Sequence, residues 1–149
     1  MIKAKNMKGF SLIEIMVVLV IMGLLASIVA PNVMEALSGS KLQKVQADFA
    51  NIETALKMYK LDNFVYPSSE QGLEALVSRP SSSPEPKNWR KGGYLPELPE
   101  DPWGTPYLYT SPADGHPYEI YTLGADGVRG GQEEGTDIGN WDKAGDNNQ

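Results

Sequence analysis

Cysteine is absent from this 149-residue chain. No disulfide can staple its fold, no thiolate can hold a metal, and no thiol can serve as a nucleophile. Histidine is nearly absent too. The single imidazole, His116, falls in a turn region between two aromatic runs, and serine, histidine and aspartate show no arrangement that suggests a triad. Zinc spacing, a phosphate-cradling glycine motif and a clustered basic patch are missing as well, which speaks against nucleotide and nucleic-acid binding. Basic residues number 13 against 19 acidic ones, a net charge of −6. Such a chain disfavours anionic partners and invites cations. The composition describes a structural or binding protein, not an enzyme.

What the chain does have is concentrated at its beginning. Lys3, Lys5 and Lys8 form a short basic leader without an acid, and Gly9-Phe10-Ser11-Leu12-Ile13-Glu14 leads into the apolar run Ile15–Ala30. From Phe10 to Ala30 about 21 residues at 1.5 Å each make roughly 31 Å of helix, the thickness of a hydrocarbon core. The length predicts a membrane-spanning segment over 10–30 whose basic end stays cytoplasmic. Glu14 is the anomaly, because a carboxylate at the centre of such a helix costs roughly 2.5–3.5 kcal/mol and calls for a partner. A cleaved secretory signal fits poorly: the run contains Glu14, exceeds the usual length, and ends in Ser27-Ile28-Val29-Ala30-Pro31 without a small-x-small pair. A plain uncleaved anchor explains neither Glu14 nor the Gly-Phe junction.

Lys8-Gly9-Phe10-Ser11-Leu12-Ile13-Glu14 resembles the cleavage and methylation motif of type IV prepilins and type II secretion pseudopilins. The resemblance implies that a prepilin peptidase cuts after Gly9 and methylates the amino group of Phe10. It also implies that Glu14 pairs with the α-ammonium of Phe10 on a neighbouring subunit, two charges tolerable together and costly apart. Loss of the leader's three lysines would leave 10 basic residues against 19 acidic ones, or −9.

Past Pro31 the helical signal changes character. Leu42, Val45, Phe49, Ile52, Leu56 and Tyr59 recur at spacings of three and four, one apolar stripe with Lys41, Lys44, Asp48, Glu53 and Lys60 on the other face. Read together, Phe10 to Asp62 predicts one stem of roughly 80 Å, with a kink or a melted stretch between Gly23 and Pro31. Asn63 supplies a left-handed stop and Pro67 ends the helix. Ser68 with Gln71 makes a capping box that predicts a second helix over 69–78. Five prolines from Pro80 to Pro99 exclude a regular element there, and Trp89, Tyr94 and Leu95 predict that this loop is pinned. Pro102-Trp103-Gly104 reads as a tight turn with a buried indole. Tyr107–Thr110 and Tyr118–Thr122 form a hairpin signal around Ser111-Pro112-Ala113-Asp114-Gly115, with a third strand near 138–141. The sheet would cover the stem's apolar stripe, an α+β head.

Between Gly124 and Asp142 lie Asp126, Glu133, Glu134, Asp137 and Asp142 among six glycines. Oxygen-rich side chains on a pliable backbone suit calcium, although Asp126-Gly127-Val128 matches no EF-hand and a solvated acidic turn is the plainer alternative. The stretch Leu123-Gly124-Ala125-Asp126-Gly127 through Asp137-Ile138 and Trp141 resembles the calcium loop of the major pseudopilins, as Tyr66-Pro67 with Glu70-Gln71-Gly72-Leu73 and Asp101–Tyr107 resemble their head. That resemblance implies calcium held by the side chains of Asp126, Asp137 and Glu134 and by the carbonyls of Leu123 and Val128, with Glu133 an alternative to Glu134.

The resulting expectation is a type IV pilin-like α+β subunit: cleaved leader 1–9, transmembrane helix 10–30, amphipathic stem 31–62 and periplasmic head 63–149. Its implied work is to polymerise with itself and with minor pseudopilins. The resemblance adds prepilin peptidase and an inner-membrane assembly platform as partners, in a Gram-negative inner membrane with a single pass. A type IV pilin, or a signal-anchored periplasmic protein binding calcium or another ligand, remain as alternatives.

Overall fold

The computed structural model describes residues 9–142. Met1–Lys8, the bulk of the expected leader, lies outside them, as does Lys143–Gln149. The chain divides into two compact units, Met1–Gly39 and Ser40–Gln149.

Helix α1 is assigned from Leu12 to Asn63. In the first unit its apolar residues are not gathered on one side, and every described side chain from Phe10 to Ile28 is exposed. The backbone is helical through Gly23 and Pro31, so the melted stretch expected there is not formed. Proline removes one donor from the ladder, a loss that the helical turns on either side outweigh.

One expectation is overturned. Among the described residues no helix is long and apolar enough to cross a membrane. The expected 10–30 span counted Ser11 and Glu14 as part of the apolar length. The charge-free run behind Glu14, Ile15–Ala30, holds 16 residues, about 24 Å of helix against roughly 30 Å of hydrocarbon. The transmembrane first half, the single pass and the inner-membrane placement built on it therefore do not stand.

In the second unit the stripe behaves as its period predicts. Val45, Phe49, Ile52, Leu56 and Tyr59 are buried, joined by Ala55, while Leu42 stays 43% exposed and outside the buried core. Against the stripe lie Leu73, Leu76, Tyr107, Tyr118 and Ile120. Each large apolar side chain removed from water contributes about 1.5–3 kcal/mol, and Phe49 meets Tyr107 edge-on at 5.3 Å.

Three antiparallel strands, β1 (Leu108–Thr110), β2 (Glu119–Thr122) and β3 (Ile138–Gly139), pair in the order β1-β2-β3. Tyr109 faces Ile120 and Thr122 faces Ile138. Ile120 and Thr122 turn inward from β2 while Glu119 and Tyr121 are half-buried, the two-residue alternation of a sheet with one covered face. β3 ends sooner than expected, since the Ile120 amide donates to the Asn140 side-chain oxygen at 3.2 Å, and the chain turns at Asp142.

Between helix and sheet the connections are tied by side chains. Phe64, not Asn63, takes the left-handed stop, with φ 66°. Asn63 stays in the helix, donating to the Tyr59 carbonyl (3.0 Å) and the Tyr94 hydroxyl (2.9 Å) and accepting from the Asn88 amide. The capping box forms in both directions between Ser68 and Gln71, yet the helix it announces shrinks to a 3-10 turn, Leu73–Leu76. Gly72 at φ 62° breaks the α-helical path. Buried Gln71 uses its amide on the Ser82 and Pro84 carbonyls (2.8 and 2.9 Å). The proline-rich loop is pinned as expected, with the Trp89 indole donating to the Ala75 carbonyl at 2.9 Å. Trp103 is half-buried, a weaker core contribution than its turn suggests.

Candidate functional site

Two places carry the chemistry. The first is the start of α1. Among the described residues, a Cβ placed on Gly9 would meet nothing within 4 Å, and Phe10 is 80% exposed, so these residues leave the Gly9-Phe10 bond uncovered. Ser11 caps the helix: its hydroxyl accepts from the Glu14 amide at 3.2 Å, and the Glu14 carboxylate accepts from the Ser11 amide at 3.4 Å. Ser11-x-x-Glu14 is thus a capping box, a signal present in the sequence and missed there. It gives Glu14 a local task in the single chain, placing a negative charge at the positive end of the helix.

The second place is the acidic loop between β2 and β3. It opens with a 3-10 turn, Gly124–Asp126, and closes with another, Glu133–Gly135. The Val128 amide donates to the Asp126 carboxylate and the Gly130 amide to Asp137 Oδ2, each at 3.0 Å. Both expected aspartates therefore reach the backbone of one short segment. Asp137 Oδ1 is buried and has no hydrogen-bond partner among the described residues. Glycine is required beside Asp126: a Cβ on Gly135 would stand 2.5 Å from its Oδ2, and Gly131, at φ 118°, would drive one into the Gly135 carbonyl. Leu123 and Val128 flank Asp126, with Val128 exposed. Exposed Glu133 adopts a left-handed φ of 54°.

Glu134 goes elsewhere. Both of its carboxylate oxygens lie 2.8 Å from Lys41 Nζ on α1. Among the described residues, no three histidine, cysteine, aspartate or glutamate side chains gather closely enough to hold a metal. The loop offers two aspartates and carbonyl oxygens, a hard-donor set of the kind calcium takes.

Two supports of this loop were not legible as such. Lys41 was read only as a polar-face residue. Asp101 was read only as part of a turn, yet it is buried and accepts from the Trp103 and Thr105 amides and from the Thr105 and Thr122 hydroxyls. Burial pushes its carboxyl upward, but these hydrogen bonds outweigh it and hold the carboxyl below its usual range. Thr122 also receives the Gly124 amide at 3.2 Å, so Asp101 braces the first residue of the loop. His116 is exposed in its turn.

A helix whose far half seats on a three-stranded sheet, with an open Gly-Phe junction at its start, defines a pilin-like assembly subunit. Residues 32–141 match the family described as type II secretion system (T2SS), protein G, and residues 4–30 match the prokaryotic N-terminal methylation motif. The type II secretion system core protein G of Pseudomonas aeruginosa is 54% identical, covering 93% of this chain and 97% of that protein. Its counterpart in Vibrio cholerae is 52% identical over 93% of this chain and 94% of that one. The crystal structure of the major pseudopilin from the type 2 secretion system of enterohaemorrhagic Escherichia coli matches with a TM-score of 0.67 at 46% identity, over 74% of this chain and 95% of that one. The chain belongs to the type II secretion system protein G family, the major pseudopilins. It is a structural subunit of that system, not an enzyme, and its methylation motif implies processing by prepilin peptidase.

Proposed function

We propose that the mature chain starts at an N-methylated Phe10 and polymerises through α1 into a helical filament with minor pseudopilins and an assembly platform as partners. The observation that carries this reading is the apolar surface of α1 from Leu12 to Ile28, exposed on all sides. A contiguous exposed apolar surface of this size calls for cover, and further copies of the same stem can supply it without a dedicated partner. Glu14 would leave its cap to meet the Phe10 ammonium of a neighbour, which sets the stagger between subunits. The test is mass spectrometry of the mature N-terminus together with secretion. Methylated Phe10, and loss of secretion in Glu14→Ala with an unchanged head melting temperature, are the expected results. Secretion that persists in a variant left uncut at Gly9 would overturn the proposal.

The acidic loop is proposed to hold one calcium ion through the Asp126 and Asp137 side chains and the Leu123 and Val128 carbonyls. Support comes from the orphaned Asp137 oxygen and from the glycines that keep Asp126 clear of any side chain. The ion would supply the positive charge that two neighbouring aspartates lack, and binding of that kind is folding free energy for a glycine-rich loop. Chelator is expected to lower the melting temperature of the full-length chain, and Asp126→Ala to remove that difference. An identical melting curve with and without chelator would exclude the ion.

A further inference from the structure

We infer that Glu134 acts as one half of a metal-independent clamp with Lys41 that fixes the acidic loop to α1, and not as a ligand of the ion. The contact joins residues 93 positions apart, with Nζ 2.8 Å from both carboxylate oxygens. The ammonium also stands 5.6 Å above the centre of the Trp103 ring, so the lysine is held by an aromatic face on one side and a carboxylate on the other.

Geometry separates the roles of the acidic residues. Asp126 and Asp137 each receive an amide from the segment 128–130, inside the loop. Glu134 points its charge at the helix. Its neutralisation is already supplied by a side chain of the same protein, whereas Asp137 keeps a buried oxygen without a partner among the described residues. The longer reach of glutamate over aspartate is what spans the gap to Lys41. The backbone of the same residue braces the loop, because a Cβ on Gly124 would stand 2.5 Å from the Glu134 carbonyl. With Thr122 and Asp101 holding the first residue of the loop and Lys41 holding its last turn, the two aspartates are positioned before an ion arrives. Pre-organisation of this kind raises affinity by lowering the ordering cost.

The metal arm of this inference rests on the calcium reading above; the clamp does not. The test uses four full-length proteins besides the wild type: Lys41→Gln, Glu134→Gln, the double variant, and Lys41→Arg. Each is melted in chelator and titrated with calcium. In chelator each glutamine variant should melt about 2–4 °C below the wild type. The double variant should fall no further than either single one, and Lys41→Arg should retain most of the stability. Calcium should bind both single glutamine variants roughly 3- to 10-fold more weakly, by the same factor. Melting temperatures that do not move, or that add independently, would overturn the clamp. So would loss of calcium binding in Glu134→Gln with unchanged or tighter binding in Lys41→Gln, the signature of a ligand competing with its lysine. If the wild type ignores calcium while the coupling persists in chelator, the ion is excluded and the clamp stands.

Discussion

The stretch Leu12–Ile28 and the stripe Val45–Tyr59 belong to one helix and are both rich in aliphatic side chains, yet they meet opposite fates. The first is exposed throughout; the second disappears beneath a sheet and two loops. Composition does not separate them; period does. At spacings of three and four the second stretch offers one face that its own chain can cover, whereas the first offers apolar surface in every direction. A residue in the stripe is explained by the chain that carries it, and a residue in the first stretch is explained only by other molecules.

The sharpest way to break this contrast is a matched pair of truncations. Leu56→Ala removes a fully buried side chain and should destabilise the head by about 2–5 kcal/mol in thermal or urea unfolding. Leu19→Ala, at 62% exposure, should leave that curve within about 0.5 kcal/mol while reducing filament assembly. Equal destabilisation by both would erase the distinction.

Asp101→Asn comes next, expected to cost about 1–3 kcal/mol because a charged acceptor of four hydrogen bonds is replaced by a group that must also donate. Its pH signature has a definite sign. The folded-state carboxyl is held below its usual range, so the stability it contributes is present above the unfolded value, near 3.9, and is lost as pH falls through the lowered folded value. An acid limb of the melting profile that survives unchanged in the variant would remove Asp101 from that role. The smallest effect belongs to Leu42→Ser, expected within about 0.5 kcal/mol. It lies on the predicted stripe but outside the buried core.

Local patterns carried most of what could be read beforehand. The stripe, the hairpin, the capping box at Ser68 and the Gly9–Glu14 junction are all written within a few residues, where spacing alone implies a contact. The second helix failed because Gly72 sits in a conformation that only its tertiary setting reveals. The membrane span failed because length was counted across a carboxylate. Lys41 and Glu134 were out of reach for a different reason: nothing in either neighbourhood says that a helix and a loop 93 residues away will meet. Asp101 was hidden likewise, since one of its donors, Thr122, comes from a distant strand.

Thr122 has a single hydroxyl proton, and it is committed to Asp101. That commitment turns the oxygen's lone pairs toward the Gly124 amide, so the footing of the acidic loop has a polarity dictated by a carboxylate in another turn. Once Asp101 itself carries a proton it can donate, the hydroxyl is free to rotate, and the Gly124 amide can find a hydrogen where it had an acceptor. Acid thus has a route to the loop through a hydroxyl at its base, one that runs through a carboxylate outside the loop.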